Sequence, residues 1–102
     1  MTHDTADKYI SRGEHVAARM LGGEMMIMSL RDSTLFSLNE TASAIWQSAD
    51  GATVLRQIVE RSILARFDID AETACRDAVE LVEGLAQHGI LQVMDEPNRA
   101  LR

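Results

Sequence analysis

The chain has 102 residues, of which 46% are hydrophobic and 25% charged, with a formal net charge of −6 and a sequence pI of about 4.9. This length allows one domain with a modest core, and the acidic balance argues against binding to a nucleic-acid backbone, which requires clustered Lys and Arg. The single cysteine, Cys75, excludes an intramolecular disulfide and favours a reducing, cytoplasmic location.

The composition of the two chain ends predicts a tail on each side of one domain. Residues 1–13 are polar, and we expect a flexible N-terminal tail there. Residues 95–102 contain the only proline, and we expect a flexible C-terminal tail. The start of the chain lacks the apolar run of a signal peptide, and no segment reaches the length of a membrane span. The sequence therefore predicts one domain over residues 14–94, without a membrane partner.

The first half of this domain has the pattern of three short strands. Val16–Leu21 is apolar, Gly22-Gly23 is a hairpin turn signal, and a strand rich in methionine follows at residues 24–30. The third strand is predicted over Ser33–Leu38. The second and third strands carry apolar side chains on both faces, so we expect a sheet that is partly covered on both sides. The alternative is an adaptable, methionine-rich docking surface.

Residues 38–51 combine a strand end, a helix cap, an amphipathic helix and a turn. Asn39 is a favoured N-cap, because its side-chain oxygen accepts from an orphan backbone N–H of the first turn. Apolar residues then recur at helical spacing and place the only tryptophan, Trp46, on the buried face. We expect Trp46 and Leu85 to be core residues and not ligand contacts. Asp50-Gly51 is typical of a turn.

Two further helices are predicted after this turn. The second helix begins after an N-cap at Thr53 and runs to about Phe67. The third is capped by Asp70 and ends before Gly89, at the position where a left-handed backbone conformation favours glycine. Ile90–Met94 returns as a short final strand. This order predicts an α+β, winged helix-turn-helix-like fold, with an N-terminal three-stranded antiparallel sheet followed by three helices.

No catalytic or metal-binding set is visible in the sequence. The three histidines, His3, His15 and His88, are far apart in the sequence. Their spacing to one another and to Cys75 does not match that of metal ligands. His88 follows the last turn of the third helix, where a cation favours the helix C-terminus. Cys75 lies on an apolar helix face and is expected to be an inert thiol. We therefore predict a non-enzymatic protein with no metal and no cofactor.

One stretch is similar to the signature of the PqqD family of peptide chaperones and RiPP recognition elements, namely Leu38-Asn39-Glu40-Thr41-Ala42-Ser43-Ala44-Ile45-Trp46 followed by Asp50-Gly51. The resemblance continues in Thr53-Val54 with Ile58, Phe67-Asp68-Ile69-Asp70, Asp77, Leu81, Leu85 and Gly89-Ile90-Leu91. It spans roughly residues 16–94 and implies the same winged-helix fold.

The chain departs from PqqD proper at two places. Where those proteins resemble one another in a Pro-Glu-Arg-type start to the third strand, this chain has Asp32-Ser33-Thr34. Where they carry a cysteine before the Asp-Gly pair, it has Ser48-Ala49. These departures favour the broader PqqD-like group over a role in PQQ synthesis.

The resemblance implies a function in peptide binding. RiPP recognition elements similar to this chain take the leader of a precursor peptide as an extra strand between the third strand and the third helix. A partner enzyme, often a radical SAM protein, then modifies the peptide. The third strand fits this use, because it carries no charge and no proline that would block an added strand. The alternative is an edge covered by the N-terminal tail or by a second protomer.

We expect the peptide to pair with the third strand and to rest on one flank of the third helix. The strand residues of this predicted site are Ser33, Thr34, Leu35, Phe36, Ser37 and Leu38. The helix residues are Ala74, Asp77, Ala78 and Leu81. Small side chains on this flank leave space, and Asp77 is placed to hold a basic leader residue. The opposite flank, near Val79 and Ala86, is the alternative.

Two other functions are compatible with the predicted fold. The first is a winged-helix DNA-binding transcription regulator, but the third helix has one positive and four negative side chains and would be repelled by a major groove. The second is a structural subunit of a larger enzyme complex. We predict a precursor peptide and a modifying enzyme as partners and no nucleic acid, and a homodimer is left open.

Overall fold

A computed structural model describes residues 5–97, which form two three-stranded antiparallel sheets, a short 3-10 helix at Thr5–Asp7 and three longer helical segments. The strands are β1 Tyr9–Arg12, β2 Val16–Leu21, β3 Glu24–Ser29, β4 Leu35–Leu38, β5 Asp50–Val54 and β6 Leu91–Met94. The helices are α1 Glu40–Ser48, α2 Leu55–Ile58 with a π-helical continuation over Val59–Leu64, and α3 Ala71–Gln87. Among these residues no helix is both long enough and apolar enough to cross a membrane.

The sheet of β2, β3 and β4, here called the wing sheet, is the three-stranded antiparallel sheet predicted from the sequence. Gly22 and Gly23 both have positive φ, 56° and 89°, which a tight hairpin turn of the primed type requires. The predicted start of the third strand at Ser33 is wrong by two residues. Ser33 has a φ of 62°, and the N–H of Thr34 is bonded to the Asp32 side chain at 3.0 Å, so both residues belong to the turn.

The second sheet has the order β5-β1-β6, with β1 at its centre. The expected flexible tail over residues 1–13 is therefore wrong for Tyr9–Arg12, and Ile10 is completely buried. The partners of β1 lie about 40 to 85 residues further along the chain, for example Val54 and Met94 opposite Tyr9. Local composition carries no information about such distant pairing. Residues 1–4 and 98–102 lie outside the described residues, and the remaining domain boundaries stay predictions.

The second predicted helix begins and ends differently from expectation. Thr53 is not its N-cap, because Asp50–Val54 is a strand that pairs with β1. The helix starts after Val54, which makes no side-chain cap bond, and the N–H of Leu55 bonds instead to the carbonyl of Lys8 at 2.9 Å. The regular helix stops at Leu64, three residues before the predicted end.

The caps of the other two helices are confirmed. The Asn39 side chain accepts from the N–H of Ala42 at 2.9 Å, and Asp70 accepts from the N–H of Thr73 at 3.0 Å. Gly89 follows α3 with a φ of 76°. Because these bonds form within a few residues of each other, the local sequence is sufficient to specify them.

The hydrophobic core lies between the inner face of the wing sheet, the helices and β1. Its largest fully buried apolar side chains are Ile10, Ile27, Ile45, Leu55, Ile58, Val59, Ile63, Val82, Ile90 and Leu91. Leu85 is 4% exposed, as predicted for a core residue. Trp46 is only partly buried. Its ring packs against the core, its Nε1 donates to the Ile90 carbonyl at 3.3 Å, and the Arg12 guanidinium lies 5.6 Å from its ring centroid.

Two glycines provide a matched test of backbone packing. A Cβ added to Gly13 would lie 1.8 Å from the carbonyl oxygen of Gly89, whereas one added to Gly84 would meet nothing within 4 Å. We expect Gly13→Ala to lower the free energy of unfolding by at least about 2 kcal/mol. Gly84→Ala is expected to raise it by about 0.5–1 kcal/mol, because alanine is the better helix former. Urea unfolding measures both, and a Gly13→Ala protein of unchanged stability would contradict this packing.

Candidate functional site

One side of β4 has no paired strand within residues 5–97, because β4 lies at the edge of the wing sheet. The N–H of Ser29 bonds to the carbonyl of Thr34 at 2.9 Å. Since bonding direction alternates along an antiparallel strand, Phe36 and Leu38 turn their backbone groups toward β3. Leu35 and Ser37 then turn theirs toward the free side. Among the residues of the predicted strand site, these two therefore offer the donors and acceptors that an added strand needs.

The described part of the N-terminal segment does not cover this edge. Tyr9–Arg12 pairs with β5 and β6 in the other sheet, so the alternative in which this segment covers β4 is wrong for these residues. Coverage by a second protomer stays untested.

The C-terminal end of α3 is held close to β4 by two contacts of His88. Its ring lies edge-on to Phe36, with 5.1 Å between ring centroids, and its Nδ1 lies 3.1 Å from the Asp32 carboxylate. Asp32 belongs to the turn that precedes β4. These contacts fix the spacing between the start of β4 and α3, the two elements between which the peptide is predicted to lie.

A cavity of about 300 Å³ opens where β4 passes into α1. Its walls come from α1, the π-helical segment, the loop before α3, and α3. The lining residues are Asn39, Thr41, Ala42, Ile45, Ile63, Ile69, Ala74, Asp77, Ala78 and Leu81. The structure thus brings together all four helix residues of the predicted site, whereas Val79 and Ala86 of the opposite flank do not line this cavity. Their role in peptide binding stays a prediction.

Sequence reasoning did not identify the other walls of the cavity. Asn39 is predicted as a helix cap and Ile45 lies in the predicted amphipathic helix, and both roles are compatible with lining a cavity. One signal was available in Ile69, an apolar residue between Asp68 and Asp70. In the structure its side chain is 38% exposed and borders this cavity.

The outer face of the wing sheet is exposed and apolar. Leu35 is 57% exposed, Leu21 53% and Met28 38%, and a shallow hollow lies between β2, β3 and β4. The expectation that the sheet is partly covered on both sides is therefore wrong for the outer face, as far as the described residues show. The alternative, a methionine-rich surface, matches this exposure, and its use in docking stays a prediction.

Asp32 has the most strongly perturbed carboxylate near this site. The hydrogen bond with His88, followed by the bond from the backbone N–H of Thr34, holds the pKa of Asp32 well below its usual range. Because its side chain is 48% exposed, the effect is local and is weakened by solvent screening.

This lowered pKa predicts a pH-dependent effect of Asp32→Asn. A carboxylate whose pKa is lower in the folded state stabilises the fold above its unfolded pKa of about 3.9, and this stabilisation disappears as the pH falls through the folded value. We expect Asp32→Asn to lower the Tm at pH 7 and the difference from wild type to shrink below pH 4. Thermal unfolding across this range measures it. Equal Tm values at pH 7 would contradict the role given to the Asp32–His88 bond, and His88→Gln is the matched variant.

Candidate catalytic and metal-binding groups remain apart. Within residues 5–97, no group of three or more His, Cys, Asp or Glu side chains could hold a metal ion. Cys75 is only partly buried, and His3 lies outside the described range. The absence of a catalytic residue and of a cofactor stays a prediction from the sequence.

Comparison with known proteins identifies a family and a fold. Residues 24–91 match the family model of coenzyme PQQ synthesis protein D, PqqD. The solved structure of TbiB1 in complex with the TbiA(beta) leader peptide is similar, with 24% identity, a TM-score of 0.71, and coverage of 80% of this chain and 94% of that chain. A lasso peptide synthetase B1 complexed with the leader peptide has 18% identity, a TM-score of 0.70, and coverage of 81% and 96%. A search of curated proteins found no match. The shared fold confirms the predicted fold class.

Proposed function

The chain belongs to the PqqD family, and from this premise we propose that it binds the leader of a ribosomal precursor peptide as an added strand and presents it to a modifying enzyme. The observation that supports this most directly is the free edge of β4, which is followed directly by Asn39 in the wall of the apolar cavity beside α3. Both structures of similar fold were solved with a leader peptide bound.

Strand addition at β4 explains how one peptide uses both the edge and the cavity. Leu35 and Ser37 supply outward backbone groups for main-chain bonds, which give affinity without depending on sequence. A strand advances about 3.3 Å per residue, so a peptide that continues beyond Leu38 reaches the cavity beside Asn39 within a few residues. The cavity accepts one large apolar side chain, whose burial is worth about 1.5–3 kcal/mol.

The chemistry in this proposal belongs to a partner enzyme of the radical SAM type or similar. We propose that the enzyme approaches the outer face of the wing sheet, because Leu35 lies both on that face and beside the peptide-pairing edge. A bound peptide extends the sheet, so every second peptide side chain would join the same face. An enzyme docked there would contact this chain and its substrate together. A homodimer stays a prediction.

Selection from a displayed library of short random peptides tests the proposal and does not require the sequence of the precursor. We expect the protein to enrich peptides that bind in an extended conformation. Amide hydrogen exchange, read by NMR, should then slow at Leu35 and Ser37, which point outward, with less change at Phe36, which is already bonded within the sheet. Failure to enrich any peptide, or enriched peptides that leave exchange at Leu35 and Ser37 unchanged, would overturn strand addition at β4.

A DNA-binding regulator is the second candidate, and the winged-helix fold is the observation that favours it. The α3 helix carries one positive and four negative side chains, Arg76 against Glu72, Asp77, Glu80 and Glu83. That balance opposes entry into a major groove. A gel-shift assay with random duplex DNA at low salt separates the two functions, since tight binding there would favour the regulator.

A further inference from the structure

Of the charged side chains in residues 5–97, only that of Asp77 borders the apolar cavity beside α3. The Asp77 side chain is exposed, and none of the ion pairs among residues 5–97 includes it. No Lys or Arg from the described part of the chain lines the cavity. The carboxylate therefore keeps its capacity to accept hydrogen bonds from a cation that arrives with a ligand.

The connection before α3 brings further acidic residues near Asp77, while Arg76 is the cation next to it in sequence. Ile69, at one end of the cavity, is flanked in sequence by Asp68 and Asp70. The Arg66 side chain in the same connection pairs with Glu40 at 3.4 Å and lies 5.5 Å from the centroid of the Phe67 ring. Apolar walls next to carboxylates strengthen their field, so a cation is attracted to this end of the cavity and an anion is repelled.

The spacing along α3 also relates the charged residue Asp77 to the apolar residue Leu81. Asp77 and Leu81 are one helical turn apart, which places their side chains about 5–6 Å from each other on the same flank. Alternate residues of an extended peptide lie on one face and are separated by about 6.6 Å. A peptide strand that runs along this flank therefore places two alternate residues, i and i+2, beside Asp77 and beside Leu81 at the apolar wall of the cavity.

We propose that Asp77 is a specificity-determining residue that selects leaders with Lys or Arg two positions from the apolar side chain in the cavity. This inference rests on the proposed function and narrows its ligand class to peptides that combine an apolar anchor with a nearby cation. Acidic residues at that position are rejected by repulsion, which gives selectivity in addition to affinity.

The test compares the peptides selected by three proteins from the same random library. Wild type is expected to enrich Lys and Arg over Asp and Glu about threefold to tenfold at one position beside the anchor, where tenfold corresponds to about 1.4 kcal/mol. Asp77→Lys is expected to invert the preference. Glu80→Lys changes the net charge equally and lies on the same helix, but Glu80 does not line the cavity. It should keep the wild-type preference.

The outcomes separate the two levels of the proposal. Peptides that share an apolar anchor but show no charge preference on wild type would overturn the role of Asp77 and leave strand addition standing. Equal shifts in Asp77→Lys and Glu80→Lys would assign the preference to overall charge and also overturn it. If wild type selects no peptide, the proposed function itself fails. Circular dichroism melts of the three proteins confirm that each is folded.

Discussion

Leu35→Pro is expected to weaken peptide binding strongly while the domain stays folded. The N–H of Leu35 points to the free side of β4, so proline removes a donor that only the added strand uses. Proline is tolerated on edge strands when its missing N–H faces away from the sheet. The peptide loses one main-chain bond, and its carbonyl is left without a partner at a cost of about 1–3 kcal/mol. Affinity should fall at least about tenfold, before the steric effect of the ring is added.

Calorimetry with a peptide enriched on wild type measures this loss, and two variants control it. Leu35→Ala removes the side chain but keeps the N–H, so main-chain pairing should survive. Phe36→Pro removes an N–H that bonds to β3, so that variant should lose stability first. Unchanged affinity in a folded Leu35→Pro protein would contradict strand addition at β4.

Ile10→Ala is expected to destabilise the domain by about 2–5 kcal/mol, as is typical for truncation of a fully buried isoleucine. The Ile10 side chain has no exposed surface and lies in the central strand of the second sheet. A domain of this kind has a total stability of about 5–15 kcal/mol, so the loss would be visible as a large shift of the urea midpoint at unchanged slope.

The cross-strand partner of Ile10 supplies the control. Val93 lies directly opposite in β6, but its side chain is 36% exposed. Val93→Ala should therefore cost less than about 1 kcal/mol, since less apolar surface returns to water. If Ile10→Ala were equally mild, the N-terminal segment would not be part of the core, and the tail expected from the sequence would be restored.

Features specified by nearby residues could be predicted because their energetics are local. The cap at Asn39, the cap at Asp70 and the left-handed Gly89 each form within one helical turn of the residues they serve. The Gly22-Gly23 hairpin follows the same rule, because backbone conformation at the turn determines the register of its strands. Composition around these signals then predicted the order of the wing sheet and the helices.

Features that depend on distant partners could not be predicted in the same way. The β1 strand has only four residues and pairs with segments far along the chain. The Thr53 side chain is suited to an N-cap, but the residue lies in β5, which pairs with the distant strand β1. Trp46 is partly exposed because its ring lies at the end of the core. Helical periodicity identifies the buried face of a helix, but not how deeply each residue on that face is buried.

By itself, the sequence determined the winged-helix arrangement, the uncharged β4 strand and the flank of α3 with small residues, since each depends on local propensity or on the spacing along one element. Only the tertiary structure decided that this flank faces α1 and Ile69 across a cavity, that Asp77 at its edge joins no ion pair within residues 5–97, and that these same residues leave the outer face of the wing sheet uncovered. The physical reason is that a cavity and an exposed face are properties of how several elements pack together, and no single segment encodes the surface its neighbours leave open.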